Sequence, residues 1–149
     1  MQPPGLSWGL YMKEADHQYR VLIIDDEPMI LDILELYLSL GEYKYRVTTA
    51  ENGIEGLKNI ASDSYDLIIT DLSMPGLTGT QIVEHVKKGS HSHTPVLGIS
   101  GMPWLFKDSP FDAVLCKPFT MEIFLKAVAE LTEPNYFAGE TRQQTSPRV

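Results

Sequence analysis

The hydrophobic positions of the chain fall into two alternating patterns. Short apolar runs are typical of strands buried in a parallel sheet, whereas apolar residues spaced three and four apart predict amphipathic helices. The predicted strands cover residues 21–24, 45–49, 67–69, 95–99 and 112–116. The predicted helices cover about 28–40, 53–62, 80–88 and 121–131. This alternation predicts a doubly wound α/β fold, with a five-stranded parallel sheet and right-handed crossovers.

These elements lie in the middle of the 149-residue chain, which is long enough for one domain with a substantial core. We expect residues 20–131 to form that domain. Residues 1–19 have no periodic pattern and are interpreted as an N-terminal extension, either flexible or docked through Trp8 and Tyr11. Residues 132–149 are polar and are expected to form a flexible C-terminal tail.

The first predicted helix is unusually apolar. Between residues 28 and 40, the polar side chains are those of Asp32, Glu35 and Ser39. A helix on a protein surface usually has a narrower apolar stripe. The helix is therefore either more buried than usual, or its residues Ile33, Leu36 and Leu40 face a partner protein.

The helical pattern fails between the fourth and fifth predicted strands. Pro103 and Pro110 lie in this segment and disfavour a full helix, so the helix expected here is degenerate. The segment nevertheless contains five large apolar residues, which are Met102, Trp104, Leu105, Phe106 and Phe111. They either cover the sheet face that a helix would have covered or form an exposed docking patch.

Charge and composition exclude several classes of protein. The net charge is −8, so the chain repels phosphate backbones and we expect no direct binding to nucleic acid. No apolar stretch reaches the length of about eighteen residues that a membrane span needs. The single cysteine, Cys116, cannot form an internal disulfide, which favours a reducing, cytoplasmic location. The pair His91 and His93 fits an ordinary polar loop better than a Zn²⁺ site.

The candidate chemistry lies at the ends of the predicted strands. Asp25 and Asp26 follow the first strand, Asp71 follows the third, Ser100 ends the fourth and Lys117 follows the fifth. The carboxyl ends of parallel strands meet at one edge of the sheet, where ligands bind. Aspartates about 5 Å apart repel by about 3 kcal/mol per pair at an effective dielectric near 20. A divalent cation relieves this repulsion, so three acids facing a lysine indicate Mg²⁺ and phosphoryl transfer, with a carboxylate as candidate nucleophile.

Four motifs, in this order and each at a strand end, resemble the receiver domain of two-component response regulators. They are Ile-Ile-Asp25-Asp26-Glu27-Pro28, Asp71-Leu-Ser-Met-Pro75-Gly76, Ser100, and Lys117-Pro118-Phe119. The resemblance covers about residues 20–131 and implies a flavodoxin-like sheet with strand order 2-1-3-4-5. It also implies a phosphorelay protein whose partner is a sensor histidine kinase or a histidine phosphotransfer protein, with a homodimer as a further option.

The resemblance also implies a metal site. Asp25 and Asp26 match the acids that bind Mg²⁺ in this family, and Asp71 completes the set of carboxylates. Ser73, two residues after Asp71, matches the position whose backbone carbonyl is a further ligand.

The remaining roles concern the phosphoryl group. Asp71 matches the phosphoacceptor, which takes this group from a phosphohistidine. Ser100 matches the switch hydroxyl that turns to bond the phosphoryl group, and Lys117 matches the lysine that pairs with it. The resemblance implies a cis peptide bond between Lys117 and Pro118, at a cost of about 0.5–1 kcal/mol.

The chain departs from the family pattern on the side that usually transmits the signal. Lys117 comes 17 residues after Ser100, a spacing several residues shorter than the family usually shows. Gly101 stands where the family prefers alanine, and Val114 stands where it has a switch aromatic. We therefore expect an intact phosphorylation site and an altered output route, with Trp104 and Phe106 on a mobile or partner-binding segment.

Two functions follow from this pattern. The first is a phosphorylatable switch that is not otherwise an enzyme, apart from slow self-dephosphorylation, with Ile33, Leu36 and Leu40 docking a helical phosphodonor. The alternative is a receiver-like constitutive binding module with an altered output face. A free aspartyl phosphatase is disfavoured, because it needs a second acid two residues after the nucleophile, where Ser73 stands.

Overall fold

A computed structural model of the protein describes residues 17–102, 104 and 110–133. The strands are β1 (Gln18–Ile24), β2 (Lys44–Ala50), β3 (Leu67–Asp71), β4 (Val96–Ser100) and β5 (Ala113–Cys116). The helices are α1 (Pro28–Ser39), α2 (Gly53–Ser62), α3 (Gly79–Lys88) and α4 (Met121–Thr132). The predicted alternation of strands and helices is confirmed.

The five strands form one parallel sheet in the order β2-β1-β3-β4-β5, as the family resemblance implies. The register aligns their carboxyl ends. Ile24 pairs with Ala50 on one side and with Thr70 on the other, and Ser100 pairs with Cys116. The loops that follow β1, β3, β4 and β5 therefore start at one edge of the sheet.

Each face of the sheet has its own hydrophobic core. On one face, Leu31, Leu34 and Leu38 of α1 and Phe124 and Val128 of α4 pack against alternate strand residues. The other face is covered by α2 and α3, which contribute Ile60, Ile82, Val83 and Val86. Helices on both faces bury β3 completely, which explains its apolar sequence.

The strand β1 starts earlier than its apolar run suggests. Gln18, Tyr19 and Arg20 pair with Lys44, Tyr45 and Arg46 of β2. Backbone ladders do not require apolar side chains, so the hydrophobic pattern alone misses this extension. The strand therefore begins three residues before its predicted start at residue 21.

The structure excludes one of the two interpretations of α1. Leu31, Leu34 and Leu38 are buried, whereas a second set of apolar residues is between 38% and 72% exposed. This outer set consists of Met29, Ile33, Leu36 and the cap residue Leu40. The expectation of an unusually buried helix is wrong, because these side chains project away from the core. A partner for the outer set stays a prediction.

The segment between β4 and β5 contains no α-helix among its described residues, which are 101, 102, 104 and 110–112. Trp104 is 69% exposed, and Met102 is also exposed. Phe111 instead packs against the core on the α2–α3 face. Leu105 and Phe106 lie outside the described residues. Each interpretation therefore holds for part of the segment, because Phe111 covers the sheet whereas Trp104 is exposed.

The predicted extension and tail fall almost entirely outside the described residues, which start at 17 and end at 133. Within that part of the chain, none of the helices has the length and apolar character needed to cross a bilayer.

The core on the α1–α4 face predicts a large loss of stability from one substitution. Phe124 is fully buried and stacks on Phe119 with ring centroids 5.8 Å apart. Phe124→Ala should lower the free energy of unfolding by about 3–5 kcal/mol, measured by urea denaturation. Its neighbour Ile123 is 51% exposed, so Ile123→Ala should change it by less than about 0.5 kcal/mol. Equal losses in the two variants would contradict the described packing.

Candidate functional site

Three carboxylates meet at the edge of the sheet where the strands end. Oxygen atoms of Asp25, Asp26 and Asp71 all lie within 4.8 Å of one another. Asp25 and Asp71 are buried, whereas Asp26 is exposed. The prediction that these acids gather is confirmed, although Asp71 comes 45 residues after Asp26 in the chain.

The Asp25 carboxyl is held in an unfavourable environment. Its side chain is only 2% exposed, and burial raises its pKa from 3.8 to about 6. The negative charge of Asp71 contributes to this raised pKa, whereas the Glu27 amide opposes it by donating to Asp25 Oδ1 at 2.9 Å. The site therefore contains negative charge that the protein compensates only in part.

The Asp71 carboxylate is held at both oxygens. The Lys117 ammonium lies 3.3 Å from Oδ2, and the Ser73 amide donates to Oδ1 at 3.1 Å. The carboxylate orientation is thus fixed by a backbone group on one side and a cation on the other. The side chain of Ser73 itself is not needed for this contact.

Lys117 is positioned by the loop that follows β5. Its amide donates to the Ser100 carbonyl oxygen at 2.9 Å, which continues the ladder between β4 and β5. The Lys117–Pro118 peptide bond is cis, as the sequence predicts. Phe119 then stacks on Phe124 of the core. The lysine is therefore anchored at its own backbone and two residues later.

Ser100 ends β4 and is almost completely buried. Its Oγ accepts a hydrogen bond from the Met102 amide at 3.0 Å. The hydroxyl is thus engaged with the start of the following segment.

The donor set fits Mg²⁺. Three carboxylates with hard oxygen atoms face one ammonium group, which leaves an excess of negative charge that a divalent cation would balance. Asp26 is open to solvent, which suits a metal that keeps several water ligands. In the described part of the chain, no other group of three or more acidic, histidine or cysteine side chains is close enough to hold a metal. His91 and His93 therefore form no such group with a third residue there.

Two residues that the sequence analysis did not single out touch the Asp71 backbone. The Thr70 hydroxyl donates to the Asp71 carbonyl oxygen at 2.9 Å, and Gly79 packs directly against the same carbonyl. In the sequence, the only feature that could have pointed to Thr70 is a hydroxyl residue at the end of an apolar run. For Gly79 the signal is a glycine at a helix start, which is too common to be informative.

The comparisons with known proteins decide the family. The model of the response regulator receiver domain matches residues 21–129. The chain belongs to this family. It is therefore a receiver domain of two-component response regulators, a family whose members accept phosphoryl groups and bind Mg²⁺.

Individual relatives agree with this assignment. The chain is 32% identical over 126 residues to the uncharacterized transcriptional regulatory protein YkoG of Bacillus subtilis, covering 77% of this chain and 51% of YkoG. The receiver therefore spans about half the length of this relative. Among solved structures, chemotaxis protein CheY4 of Vibrio cholerae is 30% identical, with a TM-score of 0.69 and coverage of 77% of this chain and 99% of CheY4.

A further solved relative was determined with bound Mg²⁺ and BeF. Response regulator TrrA of Thermotoga maritima, in complex with Mg²⁺ and BeF, is 30% identical to this chain. The TM-score is 0.70, and the match covers 76% of this chain and 98% of TrrA.

The raised pKa of Asp25 makes receiver stability depend on pH. Because its pKa is about 6 in the fold against 3.8 ordinarily, the fold binds this proton more tightly. The contribution of this bound proton to the free energy of unfolding is present at low pH and is lost as the pH rises through about 6. Without metal, Asp25→Asn should therefore raise the free energy of unfolding at pH 8 by up to about 3 kcal/mol, and the difference should vanish near pH 4.

Urea denaturation in EDTA across this pH range measures the effect. Asparagine keeps an oxygen for the Glu27 amide, so the variant loses the charge and not the hydrogen bond. Asp32→Asn, at an exposed position of α1, is the matched control and should show no such pH-dependent gain. A destabilised Asp25→Asn protein at pH 8 would contradict the assignment of unbalanced charge.

Proposed function

We propose that Asp71 accepts a phosphoryl group from a phosphohistidine of a sensor kinase or phosphotransfer protein, and that the phosphorylated receiver switches a protein-interaction surface. Asp25, Asp26, Asp71 and the Ser73 carbonyl would hold Mg²⁺. The observation that carries the proposal is the contact of Asp71 with Lys117 inside a cluster of three carboxylates.

The transfer is a nucleophilic substitution at phosphorus. A carboxylate oxygen of Asp71 forms a bond to phosphorus while the phosphorus–nitrogen bond of the phosphohistidine breaks. The electron pair of that bond stays on the leaving imidazole nitrogen, and a proton from solvent completes the neutral ring. Bound Mg²⁺ supplies positive charge beside the phosphoryl oxygens. Because the Ser73 amide and Lys117 hold the carboxylate, it is oriented before the donor arrives.

Lys117 and Ser100 serve the phosphorylated state. The ammonium that now pairs with Asp71 Oδ2 would pair with phosphoryl oxygens instead, which keeps its charge compensated. To donate to the phosphoryl group, the Ser100 hydroxyl would turn away from the Met102 amide. The hydrogen bond at Met102 would then be lost on phosphorylation.

The site has no second acid two residues after Asp71 that could activate water. Ser73 occupies this position and is exposed. Slow hydrolysis of the acyl phosphate follows, which suits a switch better than a phosphatase. Catalysis is limited to the protein's own phosphorylation and dephosphorylation.

The outer face of α1 is the proposed docking surface for the phosphodonor. Met29, Ile33, Leu36 and Leu40 are spaced by four, three and four residues, which aligns them along one side of the helix. This 4-3-4 spacing is that of the apolar seam between paired helices.

The charges beside this seam restrict the partner. The charged residues of α1 are Asp32 and Glu35, both exposed, and the helix contains no lysine or arginine. A partner helix with basic residues beside its apolar stripe is therefore complementary. A second copy meeting the same face would place acid against acid, so this face does not favour a homodimer.

The alternative is a receiver that binds its partner without phosphorylation. It is favoured by the exposed Trp104 and by Val114 in place of the usual aromatic residue. In that case the site would be a structural remnant. Phosphorylation of the intact protein separates the two proposals.

Incubation with Mg²⁺ and acetyl phosphate should raise the mass of the protein by about 80 Da, the mass of one phosphoryl group. Asp71→Asn should abolish this gain, because the amide is not a nucleophile. Asp32→Asn is the control for a generic acidic residue and should be phosphorylated normally. Mass spectrometry of the three proteins measures the result. An unmodified wild-type protein would favour the constitutive module.

Ile33→Lys tests the docking surface. The change should slow phosphotransfer from a phosphorylated histidine phosphotransfer domain by about tenfold or more, because a charge replaces an apolar contact. Phosphorylation by acetyl phosphate, which needs no docking, should be unchanged. Ile54→Lys, at an exposed position of α2 on the other side of the sheet, is the matched control and should leave both rates unchanged. Equal rates for all three proteins would remove α1 from the interface.

A further inference from the structure

The residue before Asp71 is a hydroxyl in an otherwise apolar setting. Thr70 is fully buried, and the preceding residues of β3 are Leu67, Ile68 and Ile69. Because side chains alternate along a strand, Thr70 lies on the face of Ile68, toward α2 and α3, and Asp71 on the other. Thr70 therefore cannot reach a group bound to the Asp71 carboxylate.

The Thr70 hydroxyl acts on the backbone of Asp71 instead. Its Oγ1 donates to the Asp71 carbonyl oxygen at 2.9 Å. This carbonyl lies just past the last register pair between β1 and β3, which joins Ile24 to Thr70. The amide that follows β1, that of Asp25, donates to the Ala50 carbonyl oxygen of β2 at 3.0 Å and not to β3. The hydroxyl thus supplies a hydrogen bond at the point where the ladder to β1 has ended.

A second contact holds the same peptide from the side of α3. A Cβ atom on Gly79 would overlap the Asp71 carbonyl oxygen and would lie 2.9 Å from Leu72 Cα. The Gly79 amide donates to the Leu72 carbonyl at 3.2 Å, and the Leu72 amide donates to Ile99 in β4 at 2.9 Å. The peptide between Asp71 and Leu72 is therefore enclosed by a hydroxyl, a bare glycine and a strand.

We propose that Thr70 is a positioning residue for phosphorylation, which acts together with the close packing of Gly79. By fixing the plane of the Asp71–Leu72 peptide, it sets both the start of the Asp71 side chain and the turn that brings the Ser73 amide to Asp71 Oδ1 at 3.1 Å. The same turn carries the Ser73 carbonyl, the proposed metal ligand. This inference rests on the proposed role of Asp71.

A purely structural role makes a different prediction. Valine fills nearly the same space as threonine but removes the donor to the Asp71 carbonyl, so a role limited to packing and stability predicts that Thr70→Val keeps its phosphorylation rate. A role in positioning instead requires the hydroxyl, and serine would retain it. Thr70→Val and Thr70→Ser therefore separate the two roles.

The experiment compares these variants with the wild type and with Ile68→Val, a control that removes buried volume from the same face of β3 without touching the Asp71 peptide. Thr70→Val should lower the rate of phosphorylation by acetyl phosphate and weaken Mg²⁺ binding, each by about fivefold to tenfold, with a modest fall in melting temperature because the Asp71 carbonyl loses its donor. Thr70→Ser should stay within about twofold of the wild type in both. Ile68→Val should lose stability and keep its phosphorylation rate and Mg²⁺ affinity.

Hydrogen exchange at the Ser73 amide, measured by NMR without metal or phosphodonor, tests the positioning independently. Exchange should be faster in Thr70→Val and unchanged in Thr70→Ser. If the wild type is not phosphorylated, the proposed function fails, and this exchange rate decides whether the positioning is real. Wild-type exchange at Ser73 in Thr70→Val would overturn the proposal. So would an activity loss in Ile68→Val equal to that in Thr70→Val.

Discussion

Mutual repulsion among three carboxylates is the constraint on which the site depends. Their oxygen atoms lie within 4.8 Å of one another, and two of the three side chains are buried. Such an arrangement persists only where the surrounding structure is rigid enough to hold it. The fold meets this requirement by placing Asp25 directly after the buried end of β1 and Asp71 at the end of β3, which is buried along its whole length. Packing in the two cores therefore holds β1 and β3 in place against the repulsion between their terminal carboxylates.

The groups that oppose this repulsion come from the backbone as much as from side chains. The amides of Glu27 and Ser73 each donate to a carboxylate, and Lys117 is the cation that contacts Asp71. Lys117 in turn depends on the core, because Phe119 stacks on Phe124 two residues later. The chemistry at the edge of the sheet is therefore connected to packing on the α1–α4 face through a very short stretch of chain.

The sequence predicts the parts of this structure that depend on pattern. Apolar runs locate the strands, and the acids that follow them locate Asp25, Asp26 and Asp71 at one edge. Parallel topology makes their convergence a geometric consequence, and no contact needs to be known in advance.

What the sequence does not predict depends on relations between distant residues. The outward direction of Ile33 and Leu36 is set by where α4 packs, and periodicity alone does not reveal it. The early start of β1 reflects pairing with β2, which polar residues such as Gln18 can make. The role of Gly79 follows from an atomic overlap with the Asp71 carbonyl that appears only in three dimensions.

The division of α1 into an inner and an outer apolar set has a consequence for the evolution and design of signalling specificity. The inner set, Leu31, Leu34 and Leu38, secures the helix, so the outer residues are free to vary without unfolding the domain. Asp71 and Lys117 lie on other elements, at the end of β3 and directly after β5. If α1 docks the phosphodonor as proposed, recognition would change through these outer side chains while Asp71 and Lys117 stay the same, and exchanging a few side chains on one helix would retarget the receiver.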